Sequence, residues 1–174
     1  IQSCLLRDIL LQRADGTLCS LEKLVSGKCS ILAFLEIGAE PTEHVLNEVL
    51  ALEKSAKGNS KGIGCQLLFV LRQEKDLQHK TLQGALALDA GSEIEILYDI
   101  SGGASDANAA PRTASGTLCG WQETAKRMRL AEKLPVLAAV RPDGTGIYGS
   151  CGYHVGSVEL MVRILKEAVR TEAD

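Results

Sequence analysis

Continuous apolar runs alternate with amphipathic segments along most of the chain, and this alternation predicts an α/β fold. Residues 29–37, 65–72 and 94–98 are almost continuously apolar, which is typical of strands covered on both faces. Residues 41–56 and 76–88 repeat apolar side chains at helical spacing. The order strand, helix, strand, helix, strand predicts parallel pairing with right-handed crossovers.

Shorter patterned segments flank this core. Residues 5–12 are predicted as a strand, and a turn at Asp15-Gly16 leads through a short return strand to a helix that begins after Ser20. Near the other end, strands at Val136–Val140 and 146–149 enclose an Asp-Gly turn, which indicates an antiparallel hairpin. A final amphipathic helix follows the hairpin and is expected to cover one face of the sheet.

Length, charge and composition narrow the class of protein. The chain has 174 residues, 45% of them hydrophobic, and we expect one domain covering residues 1–174, with a flexible Ser/Gly/Ala-rich insertion at 101–118. The net charge of −3 and the 3% of aromatic residues argue against a nucleic-acid partner. No apolar run approaches the roughly 18 residues of a membrane span. Because the chain begins at Ile1 without Met, we expect a processed protein or a segment of a longer one.

The six cysteines are widely spaced and include no CxxC motif. We expect most of them to be free thiols, because a chain of this length builds a core without disulfides. Cys29 and Cys65 begin apolar runs, where cysteine usually acts as a small hydrophobic residue. Cys151 and His154 form a lone CxxH, which is half a zinc site at best. We therefore predict no metal and no cofactor.

The order of these segments resembles the thioredoxin-like fold, in the extended form of peroxiredoxins and membrane-anchored thiol–disulfide oxidoreductases. The stretch LAFLEIGAEPTEHVLNEV is similar to the strand, turn and helix that hold the redox site of that family, and Leu134-Pro135-Val136 is similar to its cis-proline segment. The predicted hairpins near the two ends of the chain also resemble the entry hairpin and the closing hairpin of that family. The resemblance implies a central mixed sheet with a parallel core, a C-terminal antiparallel hairpin and helices on both faces.

The residues that carry the family's chemistry are absent. Thiol–disulfide exchange needs a thiolate at the start of the helix and a second cysteine one turn later. When Phe34 and Pro41 are aligned with the family's phenylalanine and turn proline, Ala39 occupies the attacking position and Thr42 the resolving position. The peroxiredoxin motif fails too, because Val45 stands where its cysteine would follow the threonine. The resemblance therefore implies a redox-inactive member of the superfamily.

In that family, a peptide-binding groove lies between the redox turn and the proline loop. The corresponding residues here are Ala39, Glu40, Pro41, Thr42, Leu134, Pro135 and Tyr153. Backbone hydrogen bonding in a groove of this kind does not need the cysteines. Our leading hypothesis is an accessory module that binds a protein, a peptide or another domain of its parent chain.

Two other hypotheses remain open. A non-standard thiol oxidoreductase could use Cys151 with His154, because a cysteine beside a histidine and a helix N-terminus can be reactive. The other hypothesis is a structural spacer, in which large side chains fill the groove. The string Glu-Pro-Thr-Glu-His resembles thioredoxin-like segments of secreted bacterial transglutaminase-like proteins, which implies an extracytoplasmic module, secreted or membrane-anchored, in a bacterium.

Overall fold

A single mixed β-sheet organises the chain. The computed structural model describes residues 4–55, 65–86, 94–99 and 120–173; the predicted insertion at 101–118 lies outside them. The strands are β1 (Cys4–Leu5), β2 (Leu10–Arg13), β3 (Leu18–Ser20), β4 (Ser30–Phe34), β5 (Gln66–Leu71), β6 (Ile94–Asp99), β7 (Val136–Val140) and β8 (Thr145–Cys151). The α-helices are α1 (Leu21–Val25), α2 (Glu40–Ser55), α3 (Lys80–Leu86), α4 (Gly120–Arg127) and α5 (Ser157–Ala173).

Within the described residues, the sheet has eight strands in the order β1-β8-β7-β4-β5-β6-β2-β3. Strands β4, β5 and β6 are parallel, and β7 and β8 form an antiparallel hairpin beside β4. This arrangement confirms the predicted parallel core and C-terminal hairpin. The parallel strands are the continuous apolar runs of the sequence, because both of their faces are covered.

Each face of the sheet carries its own layer of helices. One face packs against α2, α3 and α5, and the opposite face packs against α1 and α4. Successive residues of β4 alternate between the two layers: Ile31 and Ala33 belong to the first, and Leu32 and Phe34 to the second. Helices on both faces were predicted, and the structure confirms them.

The predicted strand at 5–12 is wrong as a single element. Residues 6–9 separate β1, which pairs with β8, from β2, which pairs with β6. In a flat sheet these strands would stand about 29 Å apart, at about 4.8 Å per strand. The link from Leu5 to Leu10 reaches at most about 18 Å. The sheet must therefore curl, and Leu6 and Ile9, both with no exposed surface, cross beneath it in the second layer.

The predicted helix at 76–88 is also divided. A short 3-10 helix at Glu74–Gln78 ends at His79, and α3 starts at Lys80. Asp76 stabilises the start of the 3-10 helix because its side chain accepts a hydrogen bond from the backbone amide of Gln73. His79 itself is extended, which breaks the continuous helix that the apolar spacing indicated.

Candidate functional site

Three segments that the sequence singled out meet at one edge of the sheet. The register pairs Phe34 with Val136, and Val136 with Cys151. Because β4 ends where β7 begins and β8 ends, the chain after Phe34, before Val136 and after Cys151 converges there. We call this the site edge. It brings together the turn at 39–42, the Leu134-Pro135 segment and the loop that contains Tyr153.

A tight turn connects β4 to α2 and places Ala39 at the start of the helix. The Ala39 amide donates to the carbonyl of Glu36 at 3.1 Å, and Gly38 adopts a φ of +96° that favours glycine. The Ala39 carbonyl accepts the amide of Glu43 at 3.1 Å, which begins the helical ladder. The side chain at this N-terminal position is therefore a methyl group, which can neither attack a disulfide nor hold a negative charge.

Thr42 is fully buried and ties the first helical turn back to the loop. Its hydroxyl oxygen accepts a hydrogen bond from the backbone amide of Glu36 at 3.1 Å. This contact gives the Glu36 amide an acceptor within the turn and so helps to fix the shape of the turn. Glu40, with 85% of its side chain exposed, and the partly exposed Pro41 form the outer surface of the same turn.

The proline loop lies across from this turn. The peptide bond between Leu134 and Pro135 is cis. Pro135 is buried, and its carbonyl accepts the amide of Gly152 at 2.8 Å, which joins the loop to the end of β8. Leu134 is partly exposed, and within the part of the chain that the structure describes, its amide and carbonyl make no hydrogen bond.

Tyr153 is held against α2. Its hydroxyl donates to Glu48 Oε1 at 2.7 Å, and its ring stacks on His44 with the centroids 5.2 Å apart. Burial, followed by the hydrogen bond to the Glu48 carboxylate, raises the pKa of the Tyr153 phenol. The same carboxylate accepts the amides of Gly156 at 3.1 Å and Glu159 at 2.9 Å, at the start of α5. Tyr153 thus belongs to a contact that joins α5 to α2.

Cys151 and His154 lie at the end of β8 and in the loop that follows it. Cys151 is a partly buried free thiol at the end of β8, whereas the His154 side chain is exposed, and no hydrogen bond joins the two. A thiol becomes a good nucleophile when a base or a positive charge beside it favours the thiolate. The other described cysteines, Cys4, Cys19, Cys29 and Cys65, are also free; Cys119 lies outside the described residues.

Two further kinds of feature are absent from the residues that the structure describes. Their His, Cys, Asp and Glu side chains contain no group of three or more that could hold a metal ion. None of their helices combines the length and apolarity needed to cross a membrane.

Two acidic residues organise the site edge and were not singled out by the sequence. Asp99, buried at the end of β6, accepts the amides of Gly120 at 2.8 Å and Trp121 at 2.9 Å and so caps α4. An aspartate directly after an apolar strand is a signal that could have indicated this role. Glu48 offers no comparable signal, because its partners lie more than a hundred residues away.

The backbone resembles several solved structures. A protein assigned as the thiol:disulfide interchange protein DsbE of Chlorobium tepidum gives a TM-score of 0.58 at 13% identity, over 95% of this chain and 97% of that one. The thioredoxin domain of a thiol-disulfide oxidoreductase from Bacteroides vulgatus gives 0.55 at 12% identity, over 95% and 99%. A thioredoxin-like protein from Porphyromonas gingivalis gives 0.52 at 22% identity, over 92% and 90%.

No protein-family model and no curated protein matches the sequence. The structural likeness nevertheless extends over nearly the whole chain and agrees with the observed strand order, the mixed sheet and the helices on both faces. The resemblance inferred from the sequence is confirmed at the level of the fold. This chain has the thioredoxin-like fold.

Proposed function

We propose that this chain is a redox-inactive thioredoxin-like domain that binds an extended segment of another protein, or of its own parent polypeptide, at the site edge. The observation that carries the proposal is Ala39 at the N-terminus of α2. The helix dipole there would favour a thiolate, but a methyl group cannot supply one. Thr42, one turn later, has a hydroxyl that is already bonded to a backbone amide.

The backbone of the proline loop supports a binding role. The amide and carbonyl of the partly exposed Leu134 have no partner in the described chain, so an extended peptide can satisfy both by adding a strand. Glu40 and Pro41 form the outer surface of the turn on the other side. Such a mode uses main-chain hydrogen bonds for affinity and leaves specificity to the neighbouring side chains.

An oxidoreductase based on Cys151 is not part of the proposal. Its thiol has no hydrogen bond to His154, and that histidine is exposed. The single-domain organisation of residues 1–174 and an extracytoplasmic, bacterial parent polypeptide belong to the proposal as its setting. The resemblance of the Glu-Pro-Thr-Glu-His string to segments of secreted bacterial proteins supports that setting, and the open reading frame around the segment tests it.

An insulin-reduction assay tests whether the chain catalyses thiol–disulfide exchange. We expect the wild-type chain to reduce insulin with dithiothreitol no faster than dithiothreitol alone. The double variant Ala39→Cys/Thr42→Cys restores the two sulfurs at their aligned positions and should raise the rate above that background. Turnover by the wild type, abolished by Cys151→Ser, would overturn the assignment of redox inactivity.

A titration tests binding separately. The probe is S-carboxymethylated insulin B chain, an unfolded peptide with no free sulfur, and the readout is the backbone amide signals of isotope-labelled protein. We expect shifts at Ala39 and Leu134, and weaker binding by Pro135→Ala. Pro142→Ala, in the turn at the opposite end of β7, is the matched control and should bind as the wild type does. No shift at millimolar peptide would contradict a binding role and favour a structural spacer.

A further inference from the structure

Two cysteines lie side by side at the edge of the sheet opposite the site edge. Cys29 directly precedes β4 and Cys65 directly precedes β5, and these strands are parallel and adjacent. The first registered pair, Ser30 with Gln66, comes immediately after them. The amide of Gln66 donates to the Cys29 carbonyl at 2.9 Å, so the hydrogen-bond ladder reaches Cys29, and extending the register by one residue places Cys65 opposite it.

The two thiols also point to the same face. The hydroxyl of Ser30 lies 3.1 Å from Gln66 Oε1, which shows that paired residues of these strands direct their side chains to one side. Side chains alternate along a strand, so Cys29 and Cys65 both project to the other side. Both indeed contact the layer formed by α2, α3 and α5.

We propose that Cys29 and Cys65 are a redox pair that closes to a disulfide when the chain meets a small disulfide such as oxidised glutathione. Directly paired residues of neighbouring strands are about 4.8 Å apart, within the range of about 4.4–6.8 Å between the Cα atoms of bridged cysteines. Both are free thiols in the structure. The pair lies at the opposite edge of the sheet from Ala39 and Thr42, so it is independent of the peptide-binding proposal, and the proposed redox inactivity concerns the site edge alone.

Exposure and charge decide which sulfur reacts first. Cys29 is partly exposed, whereas Cys65 is 5% exposed. Burial raises the pKa of both thiols, but the Arg141 guanidinium opposes the rise at Cys29. The pKa of Cys65 rises to about 11, first through burial and then through the negative charge of the neighbouring Cys29 thiolate, although the Lys166 ammonium opposes the rise. Cys29 is therefore the attacking residue and Cys65 the resolving one, and the reaction accelerates with pH.

The exchange proceeds in two steps. The Cys29 thiolate attacks one sulfur of oxidised glutathione, a mixed disulfide forms, and one glutathione thiolate leaves. Cys65 then loses its proton and attacks the Cys29 sulfur, which releases the second glutathione. The two protein thiols are oxidised, the glutathione disulfide is reduced to two thiols, and the two protons that the cysteines lose are taken up by the released glutathiones.

The test refolds the reduced 174-residue chain in buffers of increasing oxidised-to-reduced glutathione ratio, at a pH of about 8.5, and then alkylates the remaining thiols in denaturant. We expect a peptide map that joins residues 29 and 65 and finds no glutathione on either, whereas the four other cysteines carry the alkylating reagent or a single glutathione. Refolding starts from the unfolded chain, in which glutathione can reach both sulfurs. Burial in the folded state therefore cannot prevent the bridge from forming.

Single variants separate the two roles. Cys65→Ser should retain one glutathione on Cys29, because no resolving thiol is present, whereas Cys29→Ser should form no intramolecular bridge to Cys65. Cys151→Ser is the control, since its thiol lies at the other edge, and it should form the 29–65 bridge as the wild type does. A wild-type chain that retains six thiols at every ratio, or that joins Cys65 to a different cysteine, overturns the proposal.

Discussion

The hydroxyl of Tyr153 donates a hydrogen bond to Glu48 at 2.7 Å, and this contact joins the loop after β8 to the middle of α2. The other acceptor positions of the same carboxylate receive the amides of Gly156 and Glu159. One side chain therefore satisfies two backbone donors at the start of α5 as well as a phenol. The Glu48 carboxylate thus ties the start of the last helix to α2.

Removal of that carboxylate should destabilise the fold. Glu48→Ala leaves the amides of Gly156 and Glu159 and the hydroxyl of Tyr153 without their acceptor. We expect the free energy of unfolding to fall by about 1.5–3 kcal/mol, the range for hydrogen bonds to charged groups. Urea denaturation followed by circular dichroism measures the loss. The exposed neighbour Asn47 provides the control, and an equal loss in Asn47→Ala would contradict the proposed role.

The phenol of Tyr153 should make stability depend on alkaline pH. Its pKa in the folded chain is raised above the ordinary value of 10.0, so folding favours the neutral phenol. Its contribution is complete below about pH 10 and is lost as the pH rises through the folded pKa. The difference in unfolding free energy between the wild type and Tyr153→Phe should therefore shrink at alkaline pH. The contribution of Tyr98 is the same in both proteins and cancels in the difference between them. A difference in unfolding free energy that stays constant with pH would contradict the predicted role of the Tyr153 phenol.

The hydroxyl of Thr42 should protect one particular amide. Thr42→Val keeps the side-chain shape but removes the acceptor of the Glu36 amide. We expect hydrogen exchange of that amide to accelerate about tenfold, which corresponds to about 1.4 kcal/mol. Thr42→Ser retains the hydroxyl and should leave the exchange rate close to that of the wild type. An equal acceleration in Thr42→Ser, which keeps the acceptor, would contradict the role assigned to the hydroxyl.

Two glycines with positive φ should differ sharply in their tolerance of alanine. Gly27 has a φ of +74° and open space where a Cβ would lie, so Gly27→Ala should cost only the left-handed strain of about 1–2 kcal/mol. At Gly144, with a φ of +88°, a Cβ would lie 2.5 Å from the Cβ of Arg7. Gly144→Ala should therefore cost about 1–3 kcal/mol more, the range for overpacking. Thermal unfolding of the pair measures the difference, and equal losses would contradict the close approach.

Local patterns predicted most of the elements correctly. β7 has the bounds expected from its apolar run, because Pro135 and Arg141 interrupt the hydrophobic pattern on either side. The link at 6–9 was missed because Leu6 and Ile9 are as buried as strand residues. Nothing local distinguishes an apolar residue in a strand from one in a segment that crosses beneath a curled sheet.

The sequence likewise predicted some features of the candidate site and missed others. The alignment on Phe34 and Pro41 predicted Ala39 at the start of the helix, and α2 does begin there. The acceptor role of the Thr42 hydroxyl and the Glu48 carboxylate could not be predicted, because each depends on which backbone amides the tertiary structure brings within reach. The two cysteines at 29 and 65 appeared only as small core residues, since their adjacency follows from strand register.

Local sequence was enough to establish most of the secondary structure, the burial of the parallel strands on both faces and the lack of a CxxC motif, because these depend on the identity and spacing of neighbouring residues. Tertiary packing settled which distant groups meet: Tyr153 with Glu48, Phe34 with Val136, and Cys29 beside Cys65. Apolar strands of similar length can pair in several orders, and the order is selected by the packing of the whole sheet against its helices.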